Sequence, residues 1–310
     1  MRTVAHSQRA LALPLVLWAV FVVSTVVVVT LRLVDFDLDL EARSAKRFVA
    51  RQAALTGLAY AMHPKVERTD PELHQTLPDG SKIDVQIESE DARLNINTLL
   101  VNRDSLVLRN LFRYWGVDEK SIPLVLDSLK DWVDPDELRS LNGAEAADLE
   151  NAEEYSLPEN RPFLRVAEME SVRGMDVVSR VKPDWKNYFS VKSSNLLDLQ
   201  DVSPDLLRAV GGLSEDQARA IVDFRNGADR LRGTKDDQVI KSTADVARII
   251  PLQKAQADSI AQAFGAGGSL RRIVSRGSIG GVSHEIAVIV NAGGGGGGGQ
   301  QPTYLEWLER

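Results

Sequence analysis

A short acidic stretch carries the side chains in this sequence that are best suited to bind a metal ion. It contains four carboxylates in close succession, Asp131, Asp134, Asp136 and Glu145. Carboxylate oxygens are the ligands that calcium prefers, and calcium takes about six to eight oxygens in a site. Asp134 and Asp136 also flank Pro135, so they could instead cap or begin a helix. The spacing is not that of an EF-hand loop, and both interpretations stay open.

A pattern of helix, glycine turn and helix around Gly211 and Gly212 looks like a helix-hairpin-helix unit and is a second candidate site. In DNA-binding versions of this pattern, the amide groups of the glycine turn contact a phosphate. Here Glu215 and Asp216 begin the second helix, where their charges would repel a phosphate. We therefore favour a packing role for residues 207–221. A membrane-anchored protein for DNA binding or uptake remains the alternative function.

Residues for other chemistry are missing or scattered. The chain has no cysteine, which excludes disulfides, thiolate metal sites and thiol nucleophiles. No phosphate-binding loop and no Gly-x-Ser-x-Gly nucleophile motif is present. The net charge of -7 argues against a general nucleic-acid binder. The four histidines, His6, His63, His74 and His284, are not at metal-ligand spacing. The sequence therefore predicts a protein that is not an enzyme.

The clearest structural signal is the uncharged apolar run at 11–31. As a helix it would span about 30 Å, the hydrocarbon thickness of a bilayer. Arg2 and Arg9 precede the run and acidic residues follow it, which places residues 1–10 in the cytoplasm. A removed signal peptide is the alternative, but its apolar region is shorter and no A-x-A cleavage site follows here. We expect a retained single membrane span.

The helical pattern continues beyond the membrane to His63 and Pro64, since proline disfavours a helical residue before it. We expect the face that packs on the soluble domain to consist of Ala45, Phe48, Val49, Gln52, Leu55, Ala59 and Met62, which recur at three- and four-residue steps.

Strand patterns flank a long helical region. Residues 82–89 alternate between apolar and polar side chains, as in a half-buried strand. Residues 269–275 and 282–290 have strand character and flank a glycine-rich hairpin. Seven glycines at 293–299 predict a flexible link before a last strand at 303–307.

These patterns predict an α+β fold in which a long helix and a small antiparallel sheet are interrupted by a large all-α insertion. The predicted units are 1–10, a cytoplasmic leader; 11–31, the transmembrane helix; 32–90, its continuation and the first strand; 91–268, the insertion; and 269–310, the hairpin, the glycine-rich link and the tail strand.

Three internal segments resemble the K-type minor pseudopilins of type II secretion, the GspK family. Residues 90–99 (EDARLNINTL) resemble the family segment GRLNLNTL. Residues 131–136 (DWVDPD) with 142–145 (NGAE) resemble its DWxDxD…NGAE stretch. Residues 160–163 (NRPF) with 168–175 (EMESVRGM) resemble its NxPFxSxEEL…VxGM stretch. They occur in family order, and 94–99 has a weaker internal echo at 194–199, which matches the two helical subdomains of the family.

The resemblance implies a fold and a function. The insertion would be SAM-like or helix-hairpin-helix-like, and prepilin peptidase would cut between Ala10 and Leu11, where the family has a glycine before the cut. Leu15 stands where major pseudopilins carry a glutamate, which is typical of the K type and fits a tip position, since a membrane carboxylate needs a neighbour to pair with. The resemblance also implies calcium, with Asp131, Asp134, Asp136 and Glu145 as the candidate ligands.

The implied partners are I-like and J-like minor pseudopilins, the major pseudopilin, the inner-membrane secretion platform and the prepilin peptidase, with no nucleic acid. The resemblance places the chain in the inner membrane, with most of its residues in the periplasm. The expected role is a structural one, as the tip subunit of the pseudopilus in protein export.

Overall fold

A computed structural model describes residues 7–63, 65–102, 105–144, 158–268, 270–291 and 303–310, apart from the side chains at 7–13, 34, 35 and 37–39. The strands are β1 (His74–Thr76), β2 (Lys82–Ser89), β3 (Leu94–Asn95), β4 (Phe189–Ser190), β5 (Leu197–Asp198), β6 (Phe264–Gly265), β7 (Leu270–Ile279), β8 (Val282–Asn291) and β9 (Thr303–Glu309). The helices are α1 (Ser7–Ala61), α2 (Ile96–Val101), α3 (Ser105–Trp115), α4 (Ile122–Val133), α5 (Met175–Val181), α6 (Pro204–Gly211), α7 (Glu215–Arg225), α8 (Thr243–Ile249) and α9 (Lys254–Ala263). Short 3-10 turns lie at 71–73, 90–92, 166–171 and 185–188.

Five strands form one antiparallel sheet in the order β1-β2-β7-β8-β9. The predicted strand at 82–89 is confirmed as β2, and the two predicted return strands are confirmed as β7 and β8, each with a later end. β2 and β7 are neighbours in the sheet although the helical block separates them in the sequence. The block is therefore an insertion between two paired strands.

The C-terminal part of α1 lies on one face of this sheet at very close range. Ala50 and Ala54 face β7 at Gly277, where an added Cβ would lie 2.0 Å from the Ala50 carbonyl oxygen. One turn further on, a Cβ at Gly57 would lie 2.5 Å from the Ser275 hydroxyl oxygen. That hydroxyl donates to the Ala54 carbonyl oxygen at 2.7 Å. Small residues on both elements allow this approach, and the core around it includes Leu58, Ile83, Val85, Ile273, Ile286 and Val288.

The prediction of the buried face of α1 is wrong, because the structure buries a different side of the helix. Phe48 is 64% exposed, and Gln52 and Ala59 are also exposed. The residues that meet the sheet are Ala50, Ala53, Ala54, Gly57, Leu58 and Ala61. The prediction relied on the larger apolar side chains. The side of α1 that packs on the sheet instead carries mainly small residues, because these allow the helix backbone to approach the sheet most closely. α1 itself ends at Ala61, next to the predicted end; Pro64 lies outside the described residues.

The insertion consists of two helical units, each closed by a short parallel strand pair. β3 pairs with β4 around the first unit, and β5 pairs with β6 around the second. Their apolar side chains merge in one core that is separate from the sheet core; its largest members include Phe112, Trp132, Phe163, Trp185, Phe189 and Phe264. Parallel strands need a long connection between them, and here the helices of each unit supply it.

An amide side chain holds a distant backbone segment in each unit. In the first unit, Asn97 accepts from the Phe163 amide at 2.8 Å and donates to the Phe163 carbonyl oxygen at 2.9 Å. In the second, Gln200 accepts from the Ile240 amide and donates to the Gln238 carbonyl oxygen, both at 3.0 Å. Each of the two lies two residues after a strand that begins its unit.

This correspondence changes the alignment of the internal echo. The predicted echo set Leu94 against Ser194, whereas the paired strands set Leu94 against Leu197 and Asn95 against Asp198. The predicted alignment of the echo is therefore displaced by three residues, from Ser194 to Leu197. The strand pairing and the amide contacts decide the alignment, because they repeat where the residue types do not.

The contact between α1 and β7 yields a stability prediction. Replacing Gly277 with alanine puts a methyl group against the backbone atoms of Ala50 and Ala54, which cannot move aside without parting the helix from the sheet. We expect Gly277→Ala to lower the free energy of unfolding by about 1–3 kcal/mol, the usual range for overpacking. Thermal unfolding of the detergent-solubilised chain measures the change.

Gly265→Ala is the matched control. A Cβ there would lie 3.7 Å from Leu196, an ordinary contact, so it should change the midpoint of unfolding much less. Equal effects of the two substitutions would contradict the proposed close packing.

Candidate assembly surface, acidic loop and insertion junction

The N-terminal part of α1 is an exposed apolar rod. Pro14–Leu33 is the stretch of the described helices that is long and apolar enough to cross a membrane, with a mean hydropathy of 2.5 and no part of it buried. This span lies over most of the predicted 11–31 and ends two residues later. The hydroxyls of Thr25 and Thr30 donate to the carbonyl oxygens four residues earlier, at 2.9 and 2.8 Å, so neither presents an unmatched polar group to lipid.

The residues predicted for processing and for tip position lie at the start of this rod. Ala10 and Leu11 are within α1, although their side chains are outside the described set. Leu15 is exposed, as are its apolar neighbours on every side of the helix. An apolar surface of this extent needs lipid or other helices around it.

The acidic loop after α4 is organised by backbone amides. The carboxylate of Asp131 is fully buried and accepts from the Ser140 amide, with both oxygens 3.1 Å from it. One turn earlier on α4, Asp127 accepts from the backbone and side-chain nitrogens of Asn142 at 3.0 and 2.8 Å. The loop thus folds back on α4, and its approach requires Gly143, whose added Cβ would lie 1.9 Å from an Asp131 oxygen.

The structure describes three of the four candidate calcium ligands. Asp136 accepts from the Leu138 amide at 2.8 Å, and Glu145 lies outside the described residues. Within the described ranges, no group of three or more acidic, histidine or cysteine residues is arranged to hold a metal ion. Asp131, Asp134 and Asp136 are therefore not arranged as a three-carboxylate site in the described part of the chain.

The predicted helix-hairpin-helix pattern lies in the second unit of the insertion. α6 ends at Gly211, and Gly212 adopts a left-handed φ of 65° before α7 begins. The first turn of α7 is closed by a capping box of Ser214 and Gln217, with Glu215 and Asp216 in the same turn. Arg208 lies 3.8 Å from Glu215, so the positive charge of Arg208 near this turn already has an acidic partner. These contacts support packing and give a phosphate site no support.

A buried carboxylate joins the insertion to the sheet domain. Asp201 accepts two hydrogen bonds from the Arg68 guanidinium, both at 3.0 Å, and lies 2.6 Å from Arg232. It also accepts from the amide of Ser89, the last residue of β2, at 2.5 Å. The side chain of Asp201 is completely buried, so this junction ties three separate chain segments to one charge.

Charge and burial act in opposite directions at the junction. Burial alone would raise the pKa of Asp201, but Arg232, Arg68 and the Ser89 amide hold it below its ordinary value of 3.8. Burial lowers the pKa of Arg225 to about 10, and the nearby charge of Arg232 adds to this effect. Arg225 donates to the carbonyl oxygens of Leu199 and Val202 and so fixes the turn that carries Asp201.

The comparisons with known proteins agree with this architecture. Residues 92–183 match the family described as type II secretion system, protein K. A chain of the solved GspK-GspI-GspJ complex of the type 2 secretion system of enterotoxigenic Escherichia coli is similar in structure, with a TM-score of 0.57 and 13% identity over 89% of this chain and 99% of that chain. No curated protein matches the sequence.

The predicted resemblance to the K type is confirmed. The matched residues 92–183 include most of the first helical unit, with Asn97, α4 and the acidic loop, and end before β4. At 13% identity the structural similarity by itself shows the fold. Together, the two comparisons support a GspK-like minor pseudopilin of type II secretion.

The junction is the feature that sequence reasoning missed. Arg68, Asp201 and Arg232 are far apart in the sequence and belong to no pattern. Asp198 and Asp201 both follow closely on β5, and only the contacts with Arg68 and the Ser89 amide show that Asp201 is the one that joins the sheet domain. Asp127 was also missed, although it lies one helical turn before Asp131.

Removing the buried charge should weaken the attachment of the insertion. Asp201→Ala leaves Arg68 and Arg232 without their shared partner, and breaking a buried ion pair costs about 3–5 kcal/mol. We expect a loss at the lower end of that range, since the two arginines are about one third exposed. Urea unfolding of the full chain, followed by tryptophan fluorescence, measures it.

Asp176→Ala is the control. It removes an exposed pair with Arg180 on α5, and such pairs contribute at most about 1 kcal/mol. Similar losses of unfolding free energy in both variants would contradict a stabilising role for the buried Asp201 at the junction.

Proposed function

We propose that the chain is a tip subunit of a type II secretion pseudopilus, with a structural role and no catalysis. The observation that carries this proposal is the continuous helix α1, whose exposed apolar part leads directly into the core of the sheet domain. Such a helix connects membrane-level assembly rigidly to a periplasmic head. The protein K domain supplies the link to secretion.

The position at the tip is inferred from two features. The insertion between β2 and β7 adds two helical units to the head, and this bulk would prevent further subunits from stacking above it. Leu15 offers no carboxylate in the membrane, so it does not require the amine of a neighbouring subunit as a partner. Both features fit a subunit that ends the filament.

The partners and location follow from the assembly. The solved complex contains GspK, GspI and GspJ, so we propose I-like and J-like subunits as direct neighbours of this chain. The major pseudopilin, the secretion platform and the prepilin peptidase complete the proposed set. The apolar span would cross the inner membrane once, with the described domain in the periplasm.

Processing gives the direct test of this proposal. We expect the membrane-extracted chain to begin at Leu11, because prepilin peptidase would accept the small Ala10 before the cut. Ala10→Gly should preserve the cut, and Ala10→Leu should abolish it by introducing a bulky side chain. N-terminal sequencing from cells that carry the secretion system reads the result.

Ala12→Leu, just beyond the proposed cut, is the control and should leave processing intact. A chain that keeps Met1, or one that begins after residue 31, would overturn the proposed processing and anchoring.

We also propose that calcium stabilises the first helical unit through Asp131, Asp134, Asp136 and Glu145. The carboxylates of this stretch are ligands of the right chemical type, and the fit depends on residues beyond Ala144. Calcium would add fixed positive charge among them and hold the loop against α4.

Calcium removal tests this proposal. We expect the unfolding temperature of the full chain to fall with EGTA and recover with calcium; at a hundred times the dissociation constant, calcium contributes about 2.7 kcal/mol. Glu145→Gln combined with Asp136→Asn should remove most of the response, and Asp176→Asn should not. A response that is absent, or equal with magnesium, would contradict a calcium site.

A further inference from the structure

We propose that the outer edge of β9 binds an extended segment of a different protein, which adds to the sheet as a further strand antiparallel to β9. The segment carries an acidic, an apolar and a basic residue at every second position, in that order along its chain. The site consists of Glu306, Leu308 and Arg310 with the backbone of Trp307 and Glu309, named the β9 edge here.

The backbone of β9 offers hydrogen bonds on its outer side. Arg310 and Glu285 exchange two backbone hydrogen bonds, at 2.9 and 3.0 Å. Since such pairs alternate along an antiparallel ladder, Leu308 also bonds to β8, whereas Trp307 and Glu309 turn their amides and carbonyl oxygens outward. No other strand of the described residues pairs with this side of β9. The outward groups can therefore receive a further strand.

The side chains of β9 are apolar for an exposed strand. Tyr304, Leu305, Trp307 and Leu308 are between 41 and 49% exposed. β9 contains no proline and no lysine, which commonly protect an edge strand from pairing. The register shift between β8 and β9 lies before Glu306, so the pairing from there to the end of β9 is regular. An edge with these properties is a site where another strand can add.

A row of alternating charges crosses the face of the sheet that is turned away from α1. From β2 to the end of β9 it consists of Asp84, Arg276, Glu285 and Arg310. Arg276 and Arg310 donate to different oxygens of Glu285, at 2.7 and 2.8 Å. Arg310 is the last member of the row, and its side chain is 78% exposed. Because opposite charges on neighbouring strands attract, an added strand is favoured when it places a carboxylate opposite Arg310.

Two more rows on this face reach β9 and complete the pattern of the occupant. One ends at Leu308, opposite Ala287, and the other ends at Glu306, opposite Ile289. An apolar residue opposite Leu308 and a cation opposite Glu306 continue these rows. Since the whole sheet is antiparallel, the added strand runs opposite to β9, and its side chains read acid, apolar and base at every second position.

A second copy of the chain has the same pattern on its own β9, but its orientation excludes it. α1 runs opposite to β7, since Ala50 meets Gly277 and Gly57 meets Ser275. Antiparallel pairing of two β9 strands rotates the second copy by half a turn about the sheet normal, so its α1 points the opposite way. The two apolar spans could then not enter one membrane. This step rests on the proposed anchoring, and it assigns the β9 edge to a different protein.

A synthetic peptide of residues 303–310 carries the required pattern and tests the β9 edge. It would be labelled with fluorescein, amidated at its C-terminus, and titrated with the detergent-solubilised full chain by fluorescence anisotropy. With Leu308 of the peptide opposite Leu308 of the chain, the peptide amides of Trp307 and Glu309 face β9. We expect N-methylation of these two amides to weaken binding at least about tenfold, because two hydrogen bonds are lost, whereas N-methylation at Glu306 and Leu308 should change it less than about twofold.

The two N-methylated peptides also separate addition from exchange. In a peptide that replaced β9 beside β8, the amides of Glu306 and Leu308 would face β8, so the order of the two affinities would be reversed. The reversed order, equal affinities, or no binding by any of the peptides would overturn the β9 edge as a site. If the chain in the membrane begins at Leu11, such a result leaves the proposed function intact. A chain absent from the membrane would overturn the proposed function and, with it, the argument against a second copy.

Exchanging charges between chain and peptide tests the row that ends at Glu306. Glu306→Lys in the chain should weaken binding of the original peptide about fivefold, because Arg310 of the peptide would then face a lysine. A peptide with Arg310→Glu should restore the affinity for this variant, which also shows that the variant is folded. Lys254→Glu, on the insertion, is the control and should change neither affinity. Unchanged binding, or a loss that the second peptide does not restore, would contradict the proposed register.

Leu308→Cys tests the exclusion of a second copy, since the chain has no cysteine of its own. In two paired copies the Leu308 positions would lie opposite each other, about 4.5 Å apart between their Cα atoms, a distance that a disulfide can span. Oxidation of membranes from cells that carry the secretion system should therefore give no disulfide-linked dimer. A dimer of twice the chain mass of 34.1 kDa would show a second copy and overturn the choice of occupant.

Discussion

The structure depends on how closely α1 approaches the sheet. Ala50, Ala54 and Gly57 on the helix meet Ser275 and Gly277 on β7 with almost no side-chain volume between the two backbones. Because α1 is one continuous helix, this contact also sets the direction in which the membrane span leaves the head. The rigid link between anchor and head is therefore a consequence of small residues, and larger apolar residues are left on the flanks.

The insertion is attached to the sheet domain by contacts of a different kind. Its core is separate from the sheet core, and it is connected to the sheet through β2 and β7, which remain paired along their lengths. Its attachment relies on charge: a buried Asp201 shared by Arg68, Arg232 and the end of β2. A charge in this position is stable only with all its partners in place, so it favours one orientation of the insertion.

The contacts within the head and the insertion fit the proposed role in assembly. Carboxylates in the acidic loop and at the junction accept from amides and guanidiniums, so they are engaged in holding segments together. The apolar span of α1 is exposed in the described part of the chain, and Tyr304 and Trp307 of β9 are also exposed.

The sequence by itself determined the apolar span, the long helix, β2, β7, β8 and the placement of a helical block between strands. These are local properties, since hydropathy and side-chain alternation depend on neighbours in the chain. It also determined the K-type resemblance through 90–99, 131–145 and 160–175. Only the tertiary structure decided which stripe of α1 meets the sheet, how the two helical units align and which carboxylate joins them to the head. Those features depend on contacts between residues far apart in the chain, such as Asp201 with Arg68 or Gly277 with Ala50. A local sequence pattern does not specify which distant residues come into contact.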